Sequence, residues 1–463
     1  MNRWSGLHGW SPANMFYATA AVAATLLAGL AAGVEPALLI AGLVGLTVIG
    51  TTLMNVTAGL MLFLVVAFLE SLPTAAGAPS IAKLVGIFLV LGWLRVVASG
   101  RSGARSSADF LSRNAVLTAA LCLLIAWILA SQIWAEDAAV ARTTALRYTL
   151  NLVLFPIVFV AIRRPRHLVW LFSVFVASAL LVTAVGLQTL GSGGEERLGG
   201  GGLNPNELGA LLVVAVVLAS ALACYRPLSG TARLLALLGA GLCAISVVKT
   251  ESRGSLVGLS AALLVTPFLA GPGRRVRAAA FVMAGALLIA GWLIVVAPQT
   301  TLQRVTHASG GSGRVDLWTI GFRMVADRPL TGVGAGNFVV SSIHYLLEPG
   351  IITRPQYIIS GPKPPHNIYL QVLAELGFVG LALFDTAIIL CLTIGFRAAR
   401  AFGRNGDRDT ELLARGLLIA LTGLLVADFF STDIYSKQLY ILLALTPPLA
   451  AMAARRARSG PAL

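Results

Sequence analysis

His366 is the residue of this chain best placed for acid–base chemistry. It follows the proline-rich segment 362–365, which disfavours helix immediately before it, so His366 should open a new helix. Asn367 and Gln371 follow one turn apart on one side of that helix and are candidate substrate-binding residues, with Glu375 after them. A neutral imidazole here can accept a proton from a hydroxyl group; the alternative is a histidine with a structural role only.

Two further polar connectors each carry an arginine suited to holding an anion. Arg197 stands between glycines, which let the backbone approach a bulky anion. Asn204 and Asn206 flank a proline that should start the next helix, and both are candidate ligands. Arg253 stands at the mouth of a predicted helix pair beside a glycine, which suits a phosphate at the membrane surface. The alternatives are a flexible capped loop for Arg197 and a lipid-headgroup contact for Arg253.

Apolar runs dominate the chain that carries these groups. Of 463 residues, 57% are hydrophobic and 11% are charged, and apolar runs of about 17 to 23 residues recur, as a bilayer core requires. This pattern predicts an all-α polytopic membrane protein with about 14 transmembrane helices, in a range of about 12 to 14. We interpret the first run as a retained span, since no small-residue cleavage pattern precedes it. The runs are 15–34, 37–54, 56–72, 81–99, 115–134, 147–162, 168–190, 206–224, 231–248, 254–271, 278–297, 374–396, 411–430 and 438–455.

Lys and Arg concentrate in alternate connectors, and this orients the protein. The formal net charge is +15, and basic connectors such as 163–166 and 397–408 predict that both termini face the cytoplasm of a bacterial inner membrane. Because topology accounts for the basic balance, nucleic acid is excluded as a partner. Four polar segments then share the extracytoplasmic face and are expected to converge there: 191–206, 249–254, 298–373 and 431–437.

The long polar interval 298–373 should form helices of its own. Residues 314–327 are predicted to form an amphipathic helix along the outer interface, with Arg323 on its polar side. Its predicted apolar stripe consists of Val315, Trp318, Phe322 and Val325. The glycines that follow imitate a dinucleotide-binding fingerprint, but no strand precedes them, so a tight turn is predicted for Gly332, Gly334 and Gly336.

These features divide the chain into four expected regions. They are an N-terminal transmembrane bundle at 1–190, transmembrane helices with periplasmic loops that carry the candidate anion ligands at 191–297, a large periplasmic loop with His366 at 298–373, and C-terminal transmembrane helices at 374–463.

The polar motifs, taken in order, resemble the O-antigen ligase and O-antigen polymerase family. The resemblance covers roughly 197–380 and rests on Arg197 with Asn-Pro-Asn-Glu-Leu-Gly, Thr-Glu-Ser-Arg253-Gly-Ser, Gly-Arg314-Val-Asp-Leu-Trp, Asp327-Arg-Pro-Leu-Thr-Gly-Val-Gly-Ala-Gly-Asn-Phe, and His366-Asn-Ile-Tyr-Leu-Gln-Val-Leu-Ala-Glu-Leu-Gly. It implies a membrane glycosyltransferase of the C type (GT-C) that takes a glycan from undecaprenyl diphosphate on the periplasmic face. Such an enzyme serves O-antigen, lipopolysaccharide or exopolysaccharide biosynthesis and uses no metal or cofactor.

The resemblance also implies roles for individual residues. His366 would be the general base on the acceptor hydroxyl, Arg197 and Arg253 would hold the donor diphosphate, and Arg314 is a third candidate. Direct displacement would invert the anomeric centre. A glycan acceptor and a lipid A-core acceptor both stay open, as do polymerase and ligase activity. A chain-length regulator protein is a candidate partner.

A polytopic transporter of a small anion or polysaccharide is the competing class. Transporters usually keep ionisable residues near the middle of the membrane, where Asp385 is the main candidate, with Lys83 and Asp428 nearer helix ends. A non-catalytic assembly protein and a peptidoglycan glycosyltransferase are further alternatives.

Overall fold

Every regular element in the described part of the chain is a helix. The computed structural model describes residues 36–70, 81–99, 107–190, 197–199, 204–271, 275–276, 279–280, 282–283, 291, 313–348, 352–353, 355–359, 361–432 and 434–458. The helices are α1 Pro36–Met54, α2 Val56–Leu69, α3 Ile81–Ala98, α4 Ser107–Arg113, α5 Ala115–Ala130, α6 Ala138–Leu152, α7 Leu154–Ala161, α8 Pro165–Thr189, α9 Pro205–Cys224, α10 Gly230–Lys249, α11 Arg253–Leu269, α12 Arg314–Asp327, α13 Phe338–Ser341, α14 Gln356–Ile359, α15 Ile368–Arg404, α16 Arg408–Ala427, α17 Lys437–Ala444 and α18 Thr446–Arg458. Short 3₁₀ turns, Ser131–Ile133 and Asp428–Phe430, continue α5 and α16.

Nine helical stretches of the described residues are long and apolar enough to cross a membrane. They are Ile81–Ala98, Ala115–Ile133, Ala138–Ala161, Pro165–Gln188, Pro205–Cys224, Gly230–Lys249, Ile368–Arg404, Arg408–Phe430 and Lys437–Arg458. The chain is therefore a multi-pass membrane protein whose described part is all-helical, as predicted, while the total of about 12 to 14 spans stays a prediction. Of the expected runs, 15–34 and most of 278–297 lie outside the described residues.

Two helical stretches extend well beyond the apolar runs that predicted them. The run at 147–162 belongs to a stretch that begins at Ala138, where the Asp137 side chain accepts the N–H groups of Ala139 and Val140. The run at 374–396 is the middle of α15, which begins at Ile368. Hydropathy detects only the lipid-matching part of a helix, so polar first and last turns escape it.

Helix α9 lies at the centre of the bundle. Its residues 208–215 are all buried, and it packs against α8, α10, α11 and α16. A Cβ on Gly209 would stand 2.2 Å from Ser255 Oγ, so α9 and α11 approach closely. Where α11 crosses α16, a Cβ on Gly258 would stand 2.6 Å from the Gly423 carbonyl oxygen. Such small-residue crossings are typical of membrane helices, and here they bring the N-terminal ends of α9 and α11 together.

Helix α15 is broken at Gly377, where φ is 68° and ψ is −173°. A break deprives the preceding carbonyls of their intrahelical donors, which is costly at membrane depth. The N–H groups of Val333 and Gly334 donate to two of these carbonyls at 2.9 and 2.8 Å, and the Trp127 indole N–H donates to a third at 2.9 Å. Groups from outside the helix therefore replace three of the hydrogen bonds that the break removes.

The segment that supplies two of these donors, Gly332–Gly336, is called the glycine turn below. Its three glycines have φ values of 66°, 103° and 74°, which L side chains rarely adopt. This confirms the predicted tight turn. Its place against the broken helix α15 was not predicted.

Helix α12 confirms the predicted helix, but Arg323 does not lie on a polar, exposed side of it as expected. Its buried side is formed mainly by Leu317, Ile320 and Met324. Val315 and Phe322 of the expected stripe are 62% and 58% exposed, so they do not pack within the protein. Arg323, expected on the polar side, is buried and donates to the Tyr345 carbonyl at 2.6 Å. Apolar residues lie on both sides of this helix, and spacing alone cannot tell which side packs against the protein.

Candidate functional site

Arg197 lies across the ends of two helices. Its Nε donates to the Thr250 carbonyl at 3.1 Å, where α10 ends, and its Nη2 donates to Asn206 Oδ1 at 3.5 Å, in the first turn of α9. The Leu198 N–H donates to the Lys249 carbonyl at 3.2 Å, which fixes the backbone beside the arginine. A cation is favourable at the C-terminal end of a helix. Segment 197–199 is thus ordered against the polar connector before α11.

Arg253 is the exposed first residue of α11. The Ser252 side chain caps this helix by accepting the Ser255 N–H at 3.3 Å. The sequence had suggested that the neighbouring glycine leaves space for a phosphate. This expectation is wrong, because a Cβ on Gly254 would stand 2.5 Å from Phe430 Cβ. Gly254 instead admits the aromatic side chain of the 3₁₀ turn after α16.

Arg314, at the start of α12, joins the same place from the long polar interval. Its Nη2 donates to the Phe430 carbonyl at 3.2 Å, and its guanidinium lies 5.8 Å from the centre of the Phe430 ring. Burial and the positive charges of Arg197 and Arg253 lower the pKa of the Arg314 guanidinium. Arginines from three separate connectors therefore lie close enough to act on one another, and such a group favours an anion among them.

His366 lies beside this arginine group, just before α15. The helix begins at Ile368, so the expectation that His366 opens it is wrong: Asn367 is the N-cap, and its Oδ1 accepts two backbone N–H groups at 3.0 and 3.1 Å. The preceding Pro365 carbonyl accepts the Trp318 indole N–H at 2.9 Å. The backbone on both sides of the histidine is thus fixed by hydrogen bonds.

Burial lowers the pKa of the His366 imidazole to about 4, with further lowering by the charges of Arg314 and Lys363. Burial is the larger of these two effects. The imidazole is therefore neutral at pH 7 and able to accept a proton.

Backbone strain marks the same region. Among the residues that the structure describes, Glu251 and His366 are the two non-glycine residues with positive φ, at 50° and 51°. Left-handed backbone is unfavourable for most residues and persists where the surroundings enforce it, often at functional sites. Glu251 stands in the connector that contacts Arg197, so both strained residues lie next to the arginine group.

The predicted polar ligands fall into two groups. Asn206 contacts Arg197, and Asn204 is the exposed N-cap of α9, with its Oδ1 2.9 Å from the Asn206 N–H. Asn367 and Gln371 are buried at 4% and 5% exposure and take part in hydrogen bonds within α15. The structure does not bring the last two side chains to the arginines.

Polar residues that the sequence did not connect with the arginines lie near the arginine group. Thr432 Oγ1 donates to Glu207 Oε1 at 3.1 Å, which joins the turn after α16 to the start of α9. Asp428 and Ser431 are each 1% exposed, and no described residue hydrogen-bonds their side-chain oxygens. The polar segment 431–437 and the nearby Asp428 were visible signals, but sequence separation hid their contact with α9.

Within the described residues, no group of three His, Cys, Asp or Glu side chains is arranged to hold a metal ion.

Part of this chain is similar in sequence to known proteins. Residues 238–384 match the sequence model of the family described as O-antigen ligase, a segment that includes Arg253, Arg314 and His366. The chain is 33% identical over 162 residues to a protein of Pseudomonas aeruginosa named O-antigen ligase, a match that covers 35% of this chain and 33% of that one. It is 25% identical over 206 residues to the teichuronic acid biosynthesis protein TuaE of Bacillus subtilis, covering 42% and 40% of the two chains.

The matched segments span about a third to two fifths of the length of these relatives. The family match at 238–384 includes the part of the chain in which the histidine and two of the three arginines stand. The resemblance seen in the polar motifs is confirmed: residues 238–384 of this membrane protein match the family described as O-antigen ligase.

Proposed function

We propose that this protein is a GT-C membrane glycosyltransferase that transfers a glycan from undecaprenyl diphosphate to a glycan or lipid acceptor on the periplasmic face. The observation that carries the proposal is the group formed by Arg197, Arg253 and Arg314 with a neutral His366 beside it. A dense positive group next to a base suits a reaction that starts from a hydroxyl and expels an anion.

The positive group is proposed to bind the donor diphosphate. Guanidinium groups form forked hydrogen bonds with phosphate oxygens and stay charged at any physiological pH. The N-terminal ends of α9 and α11, at Pro205 and Arg253, add partial positive charge. These features support a site for a lipid-linked diphosphate at the membrane surface.

Proton transfer and bond cleavage are divided between the two kinds of group. His366 removes the proton from the acceptor hydroxyl while the hydroxyl oxygen attacks the anomeric carbon of the donor sugar. The bond from this carbon to the phosphate oxygen breaks, and the arginines stabilise the extra negative charge on the departing lipid diphosphate. A single displacement inverts the anomeric centre. Because the imidazole pKa is about 4, the protonated form readily returns its proton to water.

The proposed setting is the bacterial inner membrane, with both termini in the cytoplasm and the site in the periplasm. Region 191–297 would contribute donor-binding loops and region 298–373 the catalytic histidine. The relatives are named for O-antigen ligation and teichuronic acid biosynthesis, and on that basis we propose a role in surface polysaccharide synthesis for this protein. A lipid A-core ligase and a glycan polymerase, with or without a chain-length regulator, both fit the site.

Purified wild-type protein and H366Q test the proposal directly. Gln keeps a polar group of similar size but cannot take up a proton at neutral pH. We expect H366Q to bind undecaprenyl-diphosphate glycan normally and to lose about two to four orders of magnitude in transfer rate. Transfer is measured with a chelator present, which also tests metal independence. A near wild-type rate in H366Q, or a requirement for divalent metal, would overturn the mechanism.

The donor role is tested with R253A and R253K in the same assay. We expect R253A to weaken donor binding and R253K to recover part of it, since Lys supplies charge without the forked geometry. Unchanged donor binding by R253A would remove Arg253 from the site. H366Q should lower only the rate of the chemical step, whereas R253A should weaken donor binding. The two variants together therefore distinguish the role of a base from that of a phosphate ligand.

A further inference from the structure

Glu375 is a buried carboxylate that ties two structural segments together. It is 1% exposed and stands in α15, two residues before the break at Gly377. Its Oε2 accepts the Gly336 N–H at 2.7 Å, and its Oε1 accepts the Gln371 amide at 3.0 Å. The main-chain carbonyl of Glu375 also accepts the Gly334 N–H at 2.8 Å. One residue therefore binds the glycine turn through both its side chain and its backbone.

The same residue is linked to His366 by a short chain of contacts. Gln371, held by Glu375, donates its N–H to the Asn367 carbonyl at 2.9 Å. Asn367 follows His366 directly and caps the helix. The segment from Ile368 to the break is about two and a half turns long, too short to be stable without outside contacts. The backbone that carries His366 therefore depends on what holds this half-helix.

The glycine turn is itself fixed on its other side by the connection between α5 and α6. The Ala335 N–H donates to Ser131 Oγ at 3.1 Å, and the Trp134 indole donates to the Thr331 carbonyl at 3.2 Å. A Cβ on Gly334 would stand 2.5 Å from Ala135 Cβ, so side chains are excluded here. The glycine turn therefore connects Glu375 to the α5–α6 region through hydrogen bonds on both of its sides.

From this network we propose that Glu375 is a positioning residue for His366, and that the glycine turn exists to receive its carboxylate. The role rests on the proposed function, because it requires His366 to act in the reaction. It explains why a fingerprint-like glycine series occurs where no nucleotide binds. It also explains why a carboxylate is buried in a membrane helix, where an ionisable group is expensive.

Three substitutions at one position test the role. E375Q keeps an acceptor for the Gly336 N–H, and its amide can donate to Gln371 Oε1, which no described residue bonds. E375D is shorter by one methylene group, and E375A removes the contact. We expect kcat to fall in the order Gln, Asp, Ala, with a loss of about 100-fold for E375A and an unchanged KM for the donor. If E375A does not fold, E375D carries the test.

The matched control is E411A. Glu411 is also 1% exposed and accepts hydrogen bonds from Arg415, but it lies at the start of α16, roughly 30 Å of helix from Phe430. We expect E411A to lower the thermal unfolding midpoint without changing kcat per folded molecule. Parallel losses of stability, kcat and donor binding in E375A and E411A would overturn the positioning role.

A double variant separates this proposal from the proposed function. If Glu375 acts through His366, E375A should cause no further loss of rate in the H366Q background. A wild-type rate in H366Q overturns the proposed function and the positioning role with it. A loss in H366Q together with full kcat in E375A and E375D overturns the positioning role alone.

Discussion

At the scale of single residues, the site combines three positive charges with one neutral base. The positive charges of Arg197, Arg253 and Arg314 repel one another, so a negative ligand among them is favourable. His366 next to them is kept uncharged by burial and by the charge of Arg314. These charge effects act between residues that are far apart in sequence. The fold supplies the proximity, since each arginine stands on a different connector.

The pH dependence of transfer follows from the His366 pKa. The base acts in its neutral form, so kcat should be constant from about pH 8 down to about pH 5 and fall only as pH approaches about 4. Removing one positive neighbour favours protonation, so R314Q should move this acid limb to higher pH. The limb should stay below the ordinary histidine value of about 6.5, because burial is the larger cause.

Initial rates at saturating donor across this pH range give the measurement. H366Q is the control, since its residual rate should lack the acid limb. A wild-type limb near pH 6.5, or a limb that R314Q leaves in place, would contradict the account of His366 given above.

At the scale of elements, residue patterns predicted helices better than their surroundings. The motif at 314–327 gave the right helix, yet Arg323 is buried because the Tyr345 carbonyl, 22 residues away, needs its guanidinium. His366 precedes its helix rather than opening it, because Asn367 is the better cap. The break at Gly377 was missed, since a single glycine in a helical pattern does not reveal a partner that replaces lost hydrogen bonds.

The crossing of α11 and α16 gives a prediction for G258A. A Cβ there would stand 2.6 Å from the Gly423 carbonyl oxygen and 2.8 Å from Ala427 Cβ, so the helices must separate. We expect a loss of about 1 to 3 kcal/mol in stability. Donor binding should weaken as well, because Arg253 begins the displaced helix.

G241A in α10 is the control for this substitution, because nothing lies within 4 Å of a Cβ at Gly241. It should bind donor normally and be as stable as the wild type or slightly more so, since Ala is a better helix former than Gly. The measurements are thermal unfolding midpoints in detergent and donor affinity. Similar results for the two variants would argue against a tight α11–α16 crossing.

At the scale of the whole molecule, several arginine contacts lie in two separate groups at the ends of helices. At one end lie the arginine group, His366 and the turn after α16. At the other, Arg95 donates to the Met54 carbonyl at 3.0 Å and Arg455 to the Arg163 carbonyl at 2.7 Å. Both groups were expected from the placement of Arg and Lys, because charge patterning depends on connectors that hydropathy delimits well. The contacts within each end depend on packing that no single segment encodes.

The membrane orientation of these two ends gives the last prediction. Positive charge retained in connectors such as 397–408 should keep that end in the cytoplasm. A periplasm-dependent phosphatase fused after Gly310 should therefore be active and one fused after Gly406 inactive. A cytoplasm-dependent fluorescent reporter should show the reverse at the same two points. Equal expression of the fusions is checked by immunoblot. Phosphatase activity at Gly406 with fluorescence at Gly310 would place the arginine group in the cytoplasm, where donor and acceptor glycans of the proposed reaction would not meet it.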